Sequence, residues 1–311
     1  MSEQQIIQYL PSSSYIEFLK AATDGVSGKT HLANIKWEDG IERDSWVKIY
    51  TATKPRGLVN EMIGYLLGSA LNLPMPPRAG FLCLENKILN QNLVNTLSQV
   101  DQYRGFTFAW ITEDVKGRNL RVELEENPAH YHIITEYIVT CLRDWDNLAN
   151  MIAFDDWILN TDRNVGNTIQ LPDRTFSLID HGECLQGGEW QEPQLLDAHC
   201  PHIGFGDNLH LRLLYEKNKN NLFSMEDTLA ELENAKLLHI TALKKVAQEI
   251  KMHLTDLIGD EIVETGIEEL PNYPVTETVF NFLSNRATAI KKFNERCDTF
   301  LSTNSIARPL S

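Results

Sequence analysis

The hydrophobic period of this chain changes near residue 112, and that change constrains the fold more than any other feature. Ahead of it, aromatic and β-branched residues gather in short runs: Tyr15-Ile16-Glu17-Phe18-Leu19, His31 to Trp37, and Ser45-Trp46-Val47-Lys48-Ile49-Tyr50. Turn signals at Asp24-Gly25…Gly28 and Glu38-Asp39-Gly40 separate them, which predicts an antiparallel meander. One helix follows. Val59, Met62, Ile63, Leu66, Leu67, Ala70 and Leu71 recur at the three-and-four spacing of an apolar face, and Asn72 with Pro74-Met75-Pro76-Pro77 stop it. Residues 78–112 return to strand-like segments, notably Gly80 to Leu84 and Phe106 to Ile111. Beyond Gly117 the period becomes helical. Ile133, Ile134, Tyr137, Ile138, Cys141 and Leu142 form one stripe, Leu148, Met151, Ile152 and Leu159 suggest another, and residues 226–256 and 276–301 read as two more helices. A β-rich front (1–112) and an α-rich back (113–311) predict an α+β fold of two lobes with a cleft between them.

Charge narrows the partners. The chain carries 28 Lys and Arg against 43 Asp and Glu, a net charge of −15, which disfavours direct contact with nucleic acid or an anionic membrane surface. The first fourteen residues lack the positive start and apolar stretch of a secretory signal. The longest largely apolar run, Met62 to Leu73, is too short to cross a bilayer. Cys83, Cys141, Cys184, Cys200 and Cys297 are odd in number and widely spaced, which predicts reduced thiols and a cytoplasmic protein. His199-Cys200-Pro201-His202 has no second ligand pair at a zinc-site spacing, so it reads as loop.

The densest polar cluster is Asn160-Thr161-Asp162-Arg163-Asn164-Val165-Gly166-Asn167, followed by Phe176-Ser177-Leu178-Ile179-Asp180-His181-Gly182. The order reads as helix end, polar loop, hairpin, then Asp-x-Gly. Phosphoryl transfer needs that kind of set: one carboxylate to meet a nucleophilic hydroxyl, and an amide oxygen with a second carboxylate to hold Mg²⁺ against phosphates. Asp162 and Asn167 have the Asp-to-Asn spacing of a kinase catalytic loop, and Asp180-His181-Gly182 stands where kinases have Asp-Phe-Gly. Each motif alone is a plausible turn; the two in order favour the catalytic reading.

The front half supplies matching parts. Lys48 lies in an apolar strand and Glu61 near the start of the following helix, as do a kinase's phosphate-binding Lys and its helix Glu. An edge-strand lysine and a first-turn acid are the bland alternatives. Gly25-Val26-Ser27-Gly28-Lys29-Thr30 resembles the end of a P-loop, but Thr23 replaces the required Gly and a strand-like run follows where a helix should. A kinase-type glycine loop, with Gly25, Ser27 and Gly28 cradling phosphate through backbone N–H groups, fits better; a plain hairpin turn is the alternative.

Together these residues resemble the HipA-like kinases, a group of bacterial Ser/Thr kinases distantly related to the phosphatidylinositol 3- and 4-kinases. The resemblance is carried by Asp156 to Asn167, by Leu178 to Gly182 and, less specifically, by Val47 to Pro76 and Phe282 to Arg286. It runs from about residue 15 onward. It implies a bilobed protein-kinase-like fold binding ATP and Mg²⁺, with Asp162 as catalytic carboxylate, Asn167 and Asp180 as metal ligands and Lys48 on the phosphates. Adenine contacts would fall at backbone groups around Ala109-Trp110-Ile111-Thr112. Two features depart from the pattern: Asn164 stands where relatives often have His, and Arg163 follows the Asp instead of preceding it. HipA toxins also carry a region ahead of their core; with a first strand beginning by residue 15, that region is expected to be absent here or supplied by a partner chain.

The expected function is therefore ATP-dependent phosphorylation of a Ser or Thr hydroxyl on a protein, in a toxin or regulatory role, with a partner or antitoxin chain as a further candidate. Two alternatives stand beside it: a nucleotide-binding interaction module without turnover, and a small-molecule or lipid kinase. Ser27 is a candidate autophosphorylation site.

Overall fold

The computed structural model describes residues 6–22, 28–160, 162–190, 225–258, 262–263 and 273–303. Gly25, Ser27 and the His199 to His202 segment lie outside the described residues. The front of the chain forms a six-stranded sheet from β1 (Ile7–Leu10), β2 (Tyr15–Ala21), β3 (Gly28–Lys36), β4 (Glu42–Tyr50), β5 (Ala79–Glu85) and β6 (Phe106–Glu113), in the order β1-β5-β6-β4-β3-β2. The β2-β3-β4 meander is antiparallel, as its turn signals predict. The strand after Gly28 also removes the P-loop alternative, because β3 stands where a helix would have to begin. A strand ahead of residue 15 is a correction: Ile7 and Leu10 are buried, and β1 pairs in parallel with β5. Four residues are too few to show a period.

Helix α1 (Gly57–Ala70) lies across one face of this sheet, touching β4 and β6. Period-two alternation sends Trp46, Lys48 and Trp110 to that face. Val47, Ile49, Ala109 and Ile111 point to the other, where they join Leu82, Leu84, Leu93 and Leu97 in a separate apolar cluster. Leu93 and Leu97 come from a stretch that reads as strand-like in sequence but contains two short helices, α2 (Gln91–Val94) and α3 (Gln99–Arg104). Asn90 and Ser98 start them by accepting the N–H groups of Leu93 and Asp101, at 2.9 and 3.1 Å.

A three-stranded sheet of β7 (Arg118–Asn119), β8 (Thr168–Gln170) and β9 (Phe176–Leu178) opens the second half. Around it pack α4 (Leu120–Glu126), α5 (Tyr131–Arg143), α6 (Leu148–Trp157), α7 (Met225–Leu237), α8 (His239–Ile258), α9 (Val275–Thr288) and α10 (Ile290–Thr303). Short strands β10 (Ile262–Val263) and β11 (Tyr273–Pro274) pair between α8 and α9. The two long helices expected at 226–256 and 276–301 are thus four, broken at Leu238 and Ala289. Ile133 is a second correction: it is 68% exposed, so the α5 stripe begins at Ile134, which with Tyr137 is half-buried against the core.

The result is an α+β architecture in which a six-stranded sheet is followed by a mostly helical second half. One apolar core runs from α1 and the underside of β5 and β6 into the helices of the second half, because α8 packs along α1. Among the described residues, no helix is long and apolar enough to cross a membrane.

Candidate active site

A cavity of about 680 Å³ lies between the six-stranded sheet and the β8–β9 hairpin. Lys48, Glu61, Asn167 and Asp180 all line it, although the sequence spreads them over more than 130 positions. Strand β4 delivers Lys48, α1 delivers Glu61, and the hairpin brings the other two to one end. Thr168 pairs with Leu178, and the Ile179 N–H donates to the Asn167 carbonyl at 3.1 Å, so Asn167 and Asp180 flank the same open end of the ladder.

Lys48 Nζ donates to Glu61 Oε1 at 2.9 Å and also bonds Asp180 Oδ1. Burial opposes the charge on Lys48, but Asp180 and Glu61 outweigh it and raise its pKa well above the ordinary lysine value. Burial likewise opposes ionisation of Glu61. Lys48 and the hydrogen bonds from His181 overcome that penalty and hold the carboxyl well below its usual range. Glu61 is saturated: Tyr50 Oη donates to Oε1 and the His181 N–H to Oε2, both at 2.9 Å. Such a carboxylate is a fixed charge that orients Lys48, not a group that exchanges protons.

Asp162 is solvent-exposed and, unlike Asn167 and Asp180, is not among the residues that line the cavity; its link to them is through Asn167. Partial desolvation, reinforced by the negative charges of Asp180 and Glu183, raises its pKa above that of an ordinary aspartate. Asn167 Nδ2 donates to the Asp162 carbonyl at 2.8 Å, which commits the amide nitrogen and leaves the side-chain oxygen for the cavity. Asn167 and Asp180 therefore offer oxygen donors beside a lysine. This set fits a magnesium ion that completes its shell with water and phosphate. Among the described residues no group of three or more His, Cys, Asp or Glu could hold a metal by itself.

Asp180 has a left-handed backbone (φ 57°), a conformation that non-glycine residues adopt only when their surroundings enforce it. Two side chains to which the sequence assigns no role, Arg163 and Asn60, hold the backbone on either side of it. Arg163 is fully buried; its Nε and Nη2 bind Asp155, and its Nη1 donates to the carbonyls of Asn167 (2.9 Å) and Ile179 (2.8 Å). One guanidinium thus fixes the backbone of both candidate metal ligands. Asn60, beside Glu61 on α1, donates to the carbonyls of Gly182, Cys184 and Gly187 at 2.8 Å each, while its oxygen accepts from Trp190 Nε1. The legible signal was the pattern of lone polar residues in apolar helices: Asn60 within α1, and Asp155 and Asp156 within α6. Asp156 is buried against Arg286 and Arg296.

Not every expected residue reaches the cavity. Ala109 and Ile111 are fully buried on the far face of the sheet, and β6 is paired on both sides at these positions, with Ile49 and Val47 in β4 and with Leu82 and Gly80 in β5. Their backbone groups belong to the ladders. The cavity is lined instead by Trp110 and Thr112 of β6 and by Glu113, Asp114, Val115 and Gly117 beyond them. The Asp114 N–H still donates to the Asp44 carbonyl of β4 at 3.0 Å, and Val115 to Gly117 lie past that last bond of the β4 edge. Gly28, the remaining glycine-loop residue, opens β3 opposite Tyr50.

No protein-family model matches the chain, and none of the curated proteins is similar to it in sequence. Among solved structures it is similar to the Helicobacter pylori proinflammatory kinase CtkA, with a TM-score of 0.44 and 11% identity over 94% of this chain and 99% of that one. A similarity of that size fixes neither a reaction nor a substrate.

Proposed function

We propose that this chain is an ATP-dependent phosphotransferase of the HipA-like kind, acting on a Ser or Thr hydroxyl of a protein. The observation that carries the reading is the buried Lys48–Glu61 pair meeting Asp180 and Asn167 in one cavity. Lys48 would stand against the nucleotide phosphates and neutralise charge that develops on them, while Glu61 keeps its Nζ in place. Asn167 and Asp180 would hold magnesium, which when bound supplies charge neutralisation on the phosphates. Asp162 would accept the proton of the acceptor hydroxyl as that oxygen bonds to the γ-phosphorus. The bond from phosphorus to the β,γ-bridging oxygen breaks, and ADP leaves with its electron pair.

The exposure of Asp162 favours a macromolecular acceptor over a small enclosed one, since a hydroxyl carried on a protein surface can reach it. Val115 and Gly117, which line the cavity past the last hydrogen bond of the β4 edge, are the place for adenine contacts, in place of Ala109 and Ile111. Gly25 and Ser27 remain candidates for the phosphate loop. A toxin or regulatory role and a cytoplasmic setting, with a partner chain, belong to this reading as well.

The roles separate by titration of Mg-ATP. Asp180→Ala should weaken binding at least tenfold, whereas Asp162→Ala should spare it. Equal affinity in wild type and Asp180→Ala would remove Asp180 from the metal site.

A further inference from the structure

The geometry points to Trp46 as the platform on which the nucleobase stacks, an inference that rests on the nucleotide-binding reading above. In the strand motif V-A-I-K the residue two positions before the lysine is alanine; here it is Trp46. Positions two apart on a strand share a face, so the indole and Lys48 look into the same cavity, and both line it. Trp46 is paired with Thr112, which lines the cavity one position before the β4–β6 register ends at Glu113. Its Nε1 donates to Asp114 Oδ1 at 3.2 Å, which pins the ring to the end of the β4–β6 ladder, where the Asp114 N–H meets the Asp44 carbonyl. The Lys20 ammonium stands 5.8 Å from the ring centroid, a cation held over the same indole.

Across the cavity, Ile169, Leu178 and Ile179 supply an apolar wall from the β8–β9 hairpin. A planar heterocycle entering there meets an oriented indole on the sheet side and aliphatic side chains on the other. Its phosphates would run toward Lys48 and Asp180. Stacking on an aromatic side chain is worth about 1–3 kcal/mol per base, which corresponds to a loss of roughly five- to 150-fold in affinity on truncation. The ligand class is a purine nucleoside triphosphate, held at one end by charge and at the other by this ring.

The test compares Mg-ATP with Mg-tripolyphosphate, which carries the phosphates without the base, on wild type, Trp46→Ala and Trp46→Phe. Trp46→Ala should lose about ten- to 100-fold in affinity for Mg-ATP and keep its affinity for Mg-tripolyphosphate; the latter also reports that the cleft is folded. Trp46→Phe should keep most of the Mg-ATP affinity while showing weaker quenching of tryptophan fluorescence by Mg-ATP than the wild type, the remainder coming from Trp110 in the same cavity. Unchanged Mg-ATP affinity in Trp46→Ala, or undiminished quenching in Trp46→Phe, would overturn the assignment and leave the phosphotransferase reading standing. Failure of the wild type to bind Mg-ATP at all would overturn both.

Discussion

At the scale of single residues, the site is organised by one saturated carboxylate. Glu61 receives Lys48 and Tyr50 from strand β4 and the His181 backbone from the segment after β9. Tyr50→Phe deletes a hydrogen bond to a charged acceptor while preserving the ring, against which Gly57 and Gly182 pack so closely that a Cβ on either would lie about 2 Å from Tyr50 atoms. A loss of about 1.5–3 kcal/mol in unfolding free energy is expected, read from denaturant midpoints. Asp162 makes a prediction in pH. As a base it must be ionised, so the rate should fall with acidity through a pKa raised above the ordinary aspartate value by burial, Asp180 and Glu183. Glu183→Gln removes one of the like charges, lowers that pKa, and should move the acid limb of the rate profile to lower pH. A limb that stays put or moves toward neutrality would detach the profile from Asp162.

At the scale of elements, the hairpin β8–β9 and helix α1 place the chemistry, and both are legible in sequence. Turn residues between two short apolar runs announce the hairpin, and three-and-four periodicity announces α1. Their mutual arrangement is not legible, because it depends on contacts such as Asn60 to Gly182 that join residues more than 120 positions apart. The same limit explains the misplaced adenine contacts. Ala109 and Ile111 sit in a strand recognisable as such, but only the register with β4 and β5 shows that their backbone groups are consumed. Gly64 tests the fit between the elements. A Cβ there would lie 2.4 Å from the Cβ of His181, so Gly64→Ala must push the Asp180-His181-Gly182 segment away from α1. The expected result is a loss of about 1–3 kcal/mol in stability together with weakened Mg-ATP binding. Unchanged binding would show that the α1 contact does not position Asp180.

At the scale of the whole molecule, the change of period near residue 112 does mark the end of the first sheet, since β6 closes at Glu113. What the period does not reveal is how the halves are joined: α8 lies along α1, and Glu249 on α8 accepts the N–H groups of Ile6 and Ile7. At the head of α8, His239 is fully buried and stacked on Trp157 with ring centroids 4.4 Å apart. Burial, with the neighbouring Lys236 and Arg286 against Asp156, pushes its pKa down to about 3. The unfolded chain therefore binds a proton at His239 between about pH 6.5 and 3 that the folded chain does not, so stability falls as pH drops through that window. His239→Phe keeps the stack and should flatten the fall by about 3 kcal/mol at pH 4.5, measured by denaturant unfolding across pH. The whole assembly of lobes, lysine and carboxylates is read as a machine for moving phosphate, and a single-turnover assay with γ-labelled ATP tests that directly. Wild type should transfer label to itself or to a protein acceptor, and Asp162→Asn should bind Mg-ATP but transfer at least a hundredfold more slowly. Equal transfer by the two proteins, or ATP binding by the wild type without any transfer, would contradict the account.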